Sequence, residues 1–161
     1  VPNATATAYI TFSFAQYDAA SNFIARHWAS KLNPAWLDDA RTRALAALDT
    51  PVAFLAKDLT TSNFIMIAFQ KLRIPLLLVS TRNSPAGVSH LVTACKVSAI
   101  LVEDSLRSLL EPQLAHIPTY SVPLINPEEL LLTPNVPPIP HCTDVDAGDI
   151  ALIVHSSGTT G

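Results

Sequence analysis

Between residues 51 and 122 the sequence alternates short, wholly apolar runs with stretches of helical periodicity, and this alternation limits the fold more than any other feature. Residues 51–56 (PVAFLA) read as a buried strand, 62–72 as a helix, and 75–80 (PLLLVS) as a second strand. Ser84 then stands as a helix N-cap with Pro85 at the first helical position. Val88, Leu91, Val92 and Cys95 follow on one face, and residues 98–102 form a third strand. A short helix over 104–111 and a strand at 119–122 complete the series. Strands that are apolar on both faces and separated by helices of this length predict an α/β fold, a largely parallel sheet flanked by helices.

The flanks divide the rest. Residues 1–50 read as a helical lead-in. A β-prone run at 9–14 precedes a helix over 17–32 that carries Ala20, Ile24, Trp28 and Leu32, and a second helix is expected over 37–48. Residues 123–148 read as a proline-rich connection: seven of the thirteen prolines fall between Pro118 and Pro140, so this stretch cannot be mostly helix or central strand. An ordered strap across the surface is expected over a loose linker. Residues 149–155 return to an apolar strand, and 156–161 follow it.

Composition removes several function classes. A net charge of -3 offers no basic patch to release counterions from nucleic acid or to meet anionic headgroups. No run approaches the roughly 18 to 20 apolar residues that span a bilayer. Two cysteines, Cys95 and Cys142, without a secretory leader read as reduced thiols and point to a cytoplasmic protein. Apolar residues make up 49% of the chain and charged residues only 14%, which suggests apolar surface that expects a covering partner.

The chemistry concentrates in the last twelve residues. Ile150–His155 empties into Ser156, Ser157, Gly158, Thr159, Thr160 and Gly161. Glycines let the backbone approach an anion closely, and successive N–H groups and hydroxyls can wrap phosphate oxygens. Open α/β sheets bind ligands at the carboxyl ends of their strands. The loop lacks the lysine of GxxxxGK[ST] and the three glycines of GxGxxG. Read alone, it is either a polar turn or an anion loop, and His155 before it is either a strand-end packing residue or a substrate-facing one.

Ser-Ser-Gly-Thr-Thr-Gly resembles the signature loop of the adenylate-forming superfamily, which comprises acyl-CoA synthetases, luciferases and the adenylation domains of peptide synthetases and carboxylate reductases. Residues 68–80 resemble a second block of that family, a helix running through a small turn into a strand, although the family has Gly about where Arg73 or Ile74 stands here. Thr81–Pro85 and the following helix are similar to the next segment, and the run 80–85 looks more like fungal-type adenylate-forming reductases and peptide-synthetase-like proteins than typical medium-chain acyl-CoA synthetases. The resemblance implies part of the N-terminal subdomain of such an enzyme. It also implies ATP and Mg²⁺ as cofactors, with Ser156, Ser157, Gly158, Thr159, Thr160 and Gly161 holding the β and γ phosphates. The implied partners are a carboxylate substrate, a thiol acceptor (CoA or a carrier-protein phosphopantetheine) and the remainder of the adenylation domain.

The family's Pro-Lys pair, its Thr-Glu segment, its ribose-binding Asp and its late lysine have no counterpart in these 161 residues. The expectation is that this piece alone is inactive and carries no catalytic residue. The competing reading is a non-catalytic α/β interaction module with a vestigial anion loop. Nothing predicts a metal site within the protein: His27, His90, His116 and His141 are scattered, and Asp144, Asp146 and Asp149 read as a solvated loop. Glu103-Asp104 reads as a helix start.

Overall fold

The computed structural model describes residues 10–37, 51–132, 136–139 and 150–155. Its centre is a five-stranded sheet, every neighbouring pair parallel: β1 (Val52–Leu55), β2 (Leu76–Leu78), β3 (Ala99–Val102), β4 (Thr119–Ser121) and β5 (Leu152–Val154), in the order β4-β3-β1-β2-β5. Every residue of β1 and β3 is buried, as expected for strands covered on both faces. The register sets Val52 against both Leu76 and Ala99, and Leu76 against Leu152, so four strands start level.

Side-chain alternation divides the core into two layers. Val52, Phe54, Leu76 and Leu101 point to a face covered by α1 (Phe14–Leu32) and α2 (Leu59–Leu72). Ala53, Leu55, Leu77 and Ile100 point to the other face, under α3 (Pro85–Ala94) and two 3₁₀ turns, Asp104–Leu109 and Pro112–Leu114. Burying one such Leu is worth about 1.5–3 kcal/mol. The chain moves from β1 to β2 by way of α2 and then back across β1 to β3 by way of α3. Helices on opposite faces are what right-handed crossovers in opposite directions require.

The helix borders have local causes. Helix α1 begins at Phe14 because Ser13 and Gln16 form a capping box: Ser13 Oγ accepts from Gln16 N–H at 3.2 Å, and Gln16 Oε1 accepts from Ser13 N–H at 2.9 Å. The expected β-prone run therefore gives way to helix at its C-terminal end. Helix α2 starts at Leu59, three residues earlier than expected, because Asp58 Oδ2 accepts from Thr61 N–H at 2.6 Å. Ser84 caps α3 as expected, accepting from Gly87 N–H at 3.2 Å, with Pro85 behind it. The short helix expected over 104–111 is a 3₁₀ turn over Asp104–Leu109 rather than an α-helix.

Helix α2 stops on a left-handed residue. Arg73 has φ 57°, and Ile74 N–H donates back to Phe69 O at 3.1 Å, closing the end of the helix. A related turn follows α3, where Lys96 has φ 52° and Val97 N–H donates to Val92 O at 3.1 Å. Arg73 is thus a side-chain-bearing residue in a backbone conformation that favours glycine.

The proline-rich connection crosses α1 as a strap over 136–139. Arg26 Nε donates to Pro137 O at 2.7 Å, Ile139 N–H donates to the buried Asn22 Oδ1 at 3.3 Å, and the Ile139 side chain enters the core. Asn22 Oδ1 also accepts from Lys71 Nζ at 3.0 Å, so α1, α2 and the strap share one polar contact. A five-residue helix, α4 (Pro127–Leu131), interrupts the connection; Asn126 caps it and Pro127 opens it. The second lead-in helix expected over 37–48 lies, apart from Leu37 in a 3₁₀ turn, outside the described residues.

Candidate functional site at the carboxyl edge of the sheet

The loops leaving the carboxyl ends of β1, β2 and β3 do not run the same way. The loop after β1 turns to α2 on one face, while those after β2 and β3 turn to α3 and the first 3₁₀ turn on the other. The end of β1 is therefore flanked on both sides by a divergence of loops, the place where open parallel sheets form a ligand crevice.

The β1/β3 side is closed by a carboxylate. Backbone pairing continues past the strands through Glu103 N–H to Leu55 O at 2.9 Å. The Glu103 side chain then reaches back and accepts from Lys57 N–H at 2.9 Å and from Ser105 Oγ. The Ser105 hydroxyl first, and then the Lys57 amide, hold this carboxyl below its ordinary value. Glu103 makes no side-chain cap to the backbone of the turn that follows it; Oε2 takes the Lys57 N–H beyond β1, and Oε1 takes the Ser105 hydroxyl. Asp104 accepts from Ser121 Oγ at 2.7 Å and Arg107 Nε at 2.9 Å, which lower its pKa in that order.

The β2/β5 side is built from donors. Residues Ser80–Asn83 form a turn, with Asn83 N–H donating to Ser80 O at 3.2 Å and Arg82 N–H to Ser80 Oγ at 3.3 Å. At the end of β5, His155 Nε2 accepts from Ser80 N–H at 3.0 Å and lies 3.2 Å from Asn83 Nδ2. A backbone N–H can only donate, so Nε2 is the bare nitrogen, the ring is neutral, and its proton sits on Nδ1. Asn83 Nδ2 then donates to the same nitrogen. The amides named here are spent on these internal bonds; the side carries the exposed Arg82, and no carboxylate is among the residues named.

The sequence-predicted phosphate residues, Ser156, Ser157, Gly158, Thr159, Thr160 and Gly161, lie outside the described residues. His155, the residue immediately before them, is placed at the carboxyl edge. Sequence reasoning left its role open and missed its link to Ser80 and Asn83, which stand more than seventy residues away in the chain. No local spacing encodes a contact between two strand ends.

A second concavity, of about 430 Å³, lies on the α1/α2 face between α1 and the segment after β4; Phe23, Trp28, Leu124 and Leu130 are among its walls. His27 borders it, edge-on to Trp28 with centroids 5.3 Å apart. Its pKa is lowered by burial against the helix and then by Lys31. Among the described residues no group of three His, Cys, Asp or Glu could hold a metal ion, and no helix is long and apolar enough to cross a membrane.

The fold of this chain, a parallel sheet with helices on both faces, is similar to part of several solved enzyme structures. The luciferase-like enzyme of the nonluminescent mealworm Zophobas morio is 18% identical, covers 92% of this chain with a TM-score of 0.63, and is matched over 34% of its own length. The O-succinylbenzoate coenzyme A synthetase of Bacillus subtilis in complex with AMP is 19% identical, with 96% of this chain, 35% of that chain and a TM-score of 0.59. A malonyl-CoA ligase in a product complex with methylmalonyl-CoA and AMP is 18% identical, with 95%, 26% and 0.58. At such identities the likeness establishes the fold, and this chain spans about a quarter to a third of the length of these enzymes. The resemblance to the adenylate-forming superfamily holds at that level. No family model matches the sequence, and no curated protein matches it closely in sequence.

Proposed function

We propose that this chain is the part of an ATP-dependent, carboxylate-activating enzyme that grips the nucleotide's phosphates. The observation that supports it most is the position of His155: β5 delivers the chain to the donor-lined β2/β5 side of the carboxyl edge, and Ser156-Ser157-Gly158-Thr159-Thr160-Gly161 follows in sequence at that point. The fold shared with acyl-CoA ligases supports the same reading.

In the reaction, a carboxylate oxygen attacks the α-phosphorus of ATP, the bond to the bridging oxygen breaks, and pyrophosphate leaves. A thiol then takes the acyl group and releases AMP. The contribution of these residues is positional and electrostatic. N–H groups and hydroxyls of 156–161 hold the β and γ phosphates while the carboxylate approaches. The exposed Arg82 beyond β2 suits an anion, and Glu103, the carboxylate on the neighbouring crevice, is engaged by Lys57 and Ser105. Mg²⁺ fits this arrangement as a companion of the polyphosphate, whose charge it shares when bound.

The test is carboxylate-dependent exchange of labelled pyrophosphate into ATP by the full-length product of the reading frame. Exchange is expected, and Thr159→Val with Thr160→Val is expected to raise the KM for ATP roughly tenfold or more, as two hydrogen bonds to a charged group are lost. The 161 residues alone are expected not to exchange. No exchange with any of a broad set of carboxylates would leave the interaction-module reading standing.

A further inference from the structure

We infer that His155 is a positioning residue, the pin that fastens the end of β5, after which the proposed phosphate residues follow in sequence, to the turn after β2. This rests on the reading above and adds a residue to it. The evidence is geometric. Strand β5 is the outer strand of the described sheet and is short, three residues paired only with β2. Three residue pairs leave an edge strand free to fray. His155 extends the attachment past the last ladder pair, Leu78 with Val154, by taking the Ser80 N–H as a side-chain acceptor in place of a further strand carbonyl. The Asn83 amide, held by the Ser80–Asn83 turn, braces the same ring nitrogen.

This arrangement selects the residue type. The acceptor must reach from the end of β5 to a backbone N–H on the adjoining strand exit, stay rigid, and leave the strand backbone extended. A neutral imidazole with its proton on Nδ1 does this. Phenylalanine keeps the ring and loses the acceptor. Glutamine places an amide oxygen near the position of Nε2 and restores it. Ser156, the first of the proposed phosphate residues, follows His155 directly in sequence.

The experiment measures pyrophosphate exchange by the full-length protein with wild-type, His155→Phe, His155→Gln and Asn83→Ala chains. His155→Phe is expected to raise the KM for ATP roughly five- to tenfold with kcat changed less than twofold, as the acceptor that holds the end of β5 is lost. His155→Gln is expected to return it to within about threefold of wild type, and Asn83→Ala to give a smaller shift in the same direction. If His155→Phe does not fold, the Gln and Ala variants decide. Wild-type exchange with an unchanged KM in His155→Phe, or equal damage in Phe and Gln, overturns the inference and leaves the proposed function intact. Absence of exchange by the wild type overturns the proposed function itself. A long-range ¹H–¹⁵N spectrum of the imidazoles separates the two failures, because the inference requires His155 Nε2 to be the unprotonated nitrogen whether or not ATP is used.

Discussion

The two sides of β1 at the carboxyl edge are built from opposite chemistry. Toward β3 the crevice is stitched by a carboxylate, Glu103, which takes the Lys57 N–H and the Ser105 hydroxyl. Beyond β2 the exit turn and β5 are joined by a neutral imidazole that takes a backbone N–H, with hydroxyls, an amide and Arg82 around it. Both devices fasten neighbouring strand ends, and each is a single side chain reaching across. The difference lies in the charge left behind. A fixed negative charge repels phosphate, whereas a neutral acceptor surrounded by donors does not. This contrast in charge favours the His155 side for the polyanion proposed above.

The comparison breaks most severely if the strand beneath the anion side is undermined. Leu77 is fully buried in the middle of β2, with β1 on one side and β5 on the other. Leu77→Ala should cost about 2–5 kcal/mol in chemical denaturation, because the cavity it leaves lies in a close-packed layer. The same variant should weaken the His155 attachment, read as faster amide exchange at Ser80. Intact stability in Leu77→Ala would show that β2 does not support this edge.

A milder change separates a helix end from the site it serves. Lys96 is exposed and holds φ 52° at the turn into β3. Lys96→Gly should stabilise the chain by about 0.5–1 kcal/mol, since the left-handed conformation costs a β-carbon roughly that much more than the entropy glycine adds. A loss of stability on that substitution would mean the Lys96 side chain contributes more than its backbone costs.

The smallest effect sharpens the contrast in charge. The carboxyl of Glu103 is lowered in the folded chain, so its contribution is present above the ordinary carboxylate value of about 4.3 and is lost as pH falls through the lower folded value. The group is partly exposed and screened, so a few tenths of a kcal/mol is the expected size. Glu103→Gln should flatten the dependence of the denaturation midpoint between about pH 6 and pH 3 while leaving the KM for ATP unchanged. A KM shift comparable to that of His155→Phe would place the nucleotide on the wrong side of β1.

Much of the frame was legible in the sequence. The apolar runs at 51–56, 75–80 and 98–102 announced buried parallel strands, and Ser84-Pro85 announced the start of α3. The proline-rich stretch did order itself as a strap over 136–139, fastened through Arg26 and Asn22. Helix α4 was hidden among those prolines because five residues show no periodicity, although Asn126-Pro127 is a start signal in retrospect. The early starts of α1 and α2 came from Ser13 and Asp58, polar caps that lie before the apolar stripes. The departure from the family's Gly near Arg73 was legible, but the left-handed conformation that Arg73 adopts there was not read from it. The site was half legible. A glycine and hydroxyl loop after a strand can be read from local order, but the union of His155 with Ser80 and Asn83 is a product of parallel pairing between distant segments.

The central claim, that this edge serves acyl-adenylate formation, is tested most directly by following oxygen. The full-length protein is given MgATP, a thiol and the carboxylate that best supports exchange, labelled with ¹⁸O in both oxygens, and the mass of the nucleotide product is measured. Attack on the α-phosphorus carries one carboxylate oxygen into the AMP that the thiol later displaces, so AMP heavier by one ¹⁸O is the result this account predicts. Unlabelled AMP, or ADP with the label in inorganic phosphate, would contradict it.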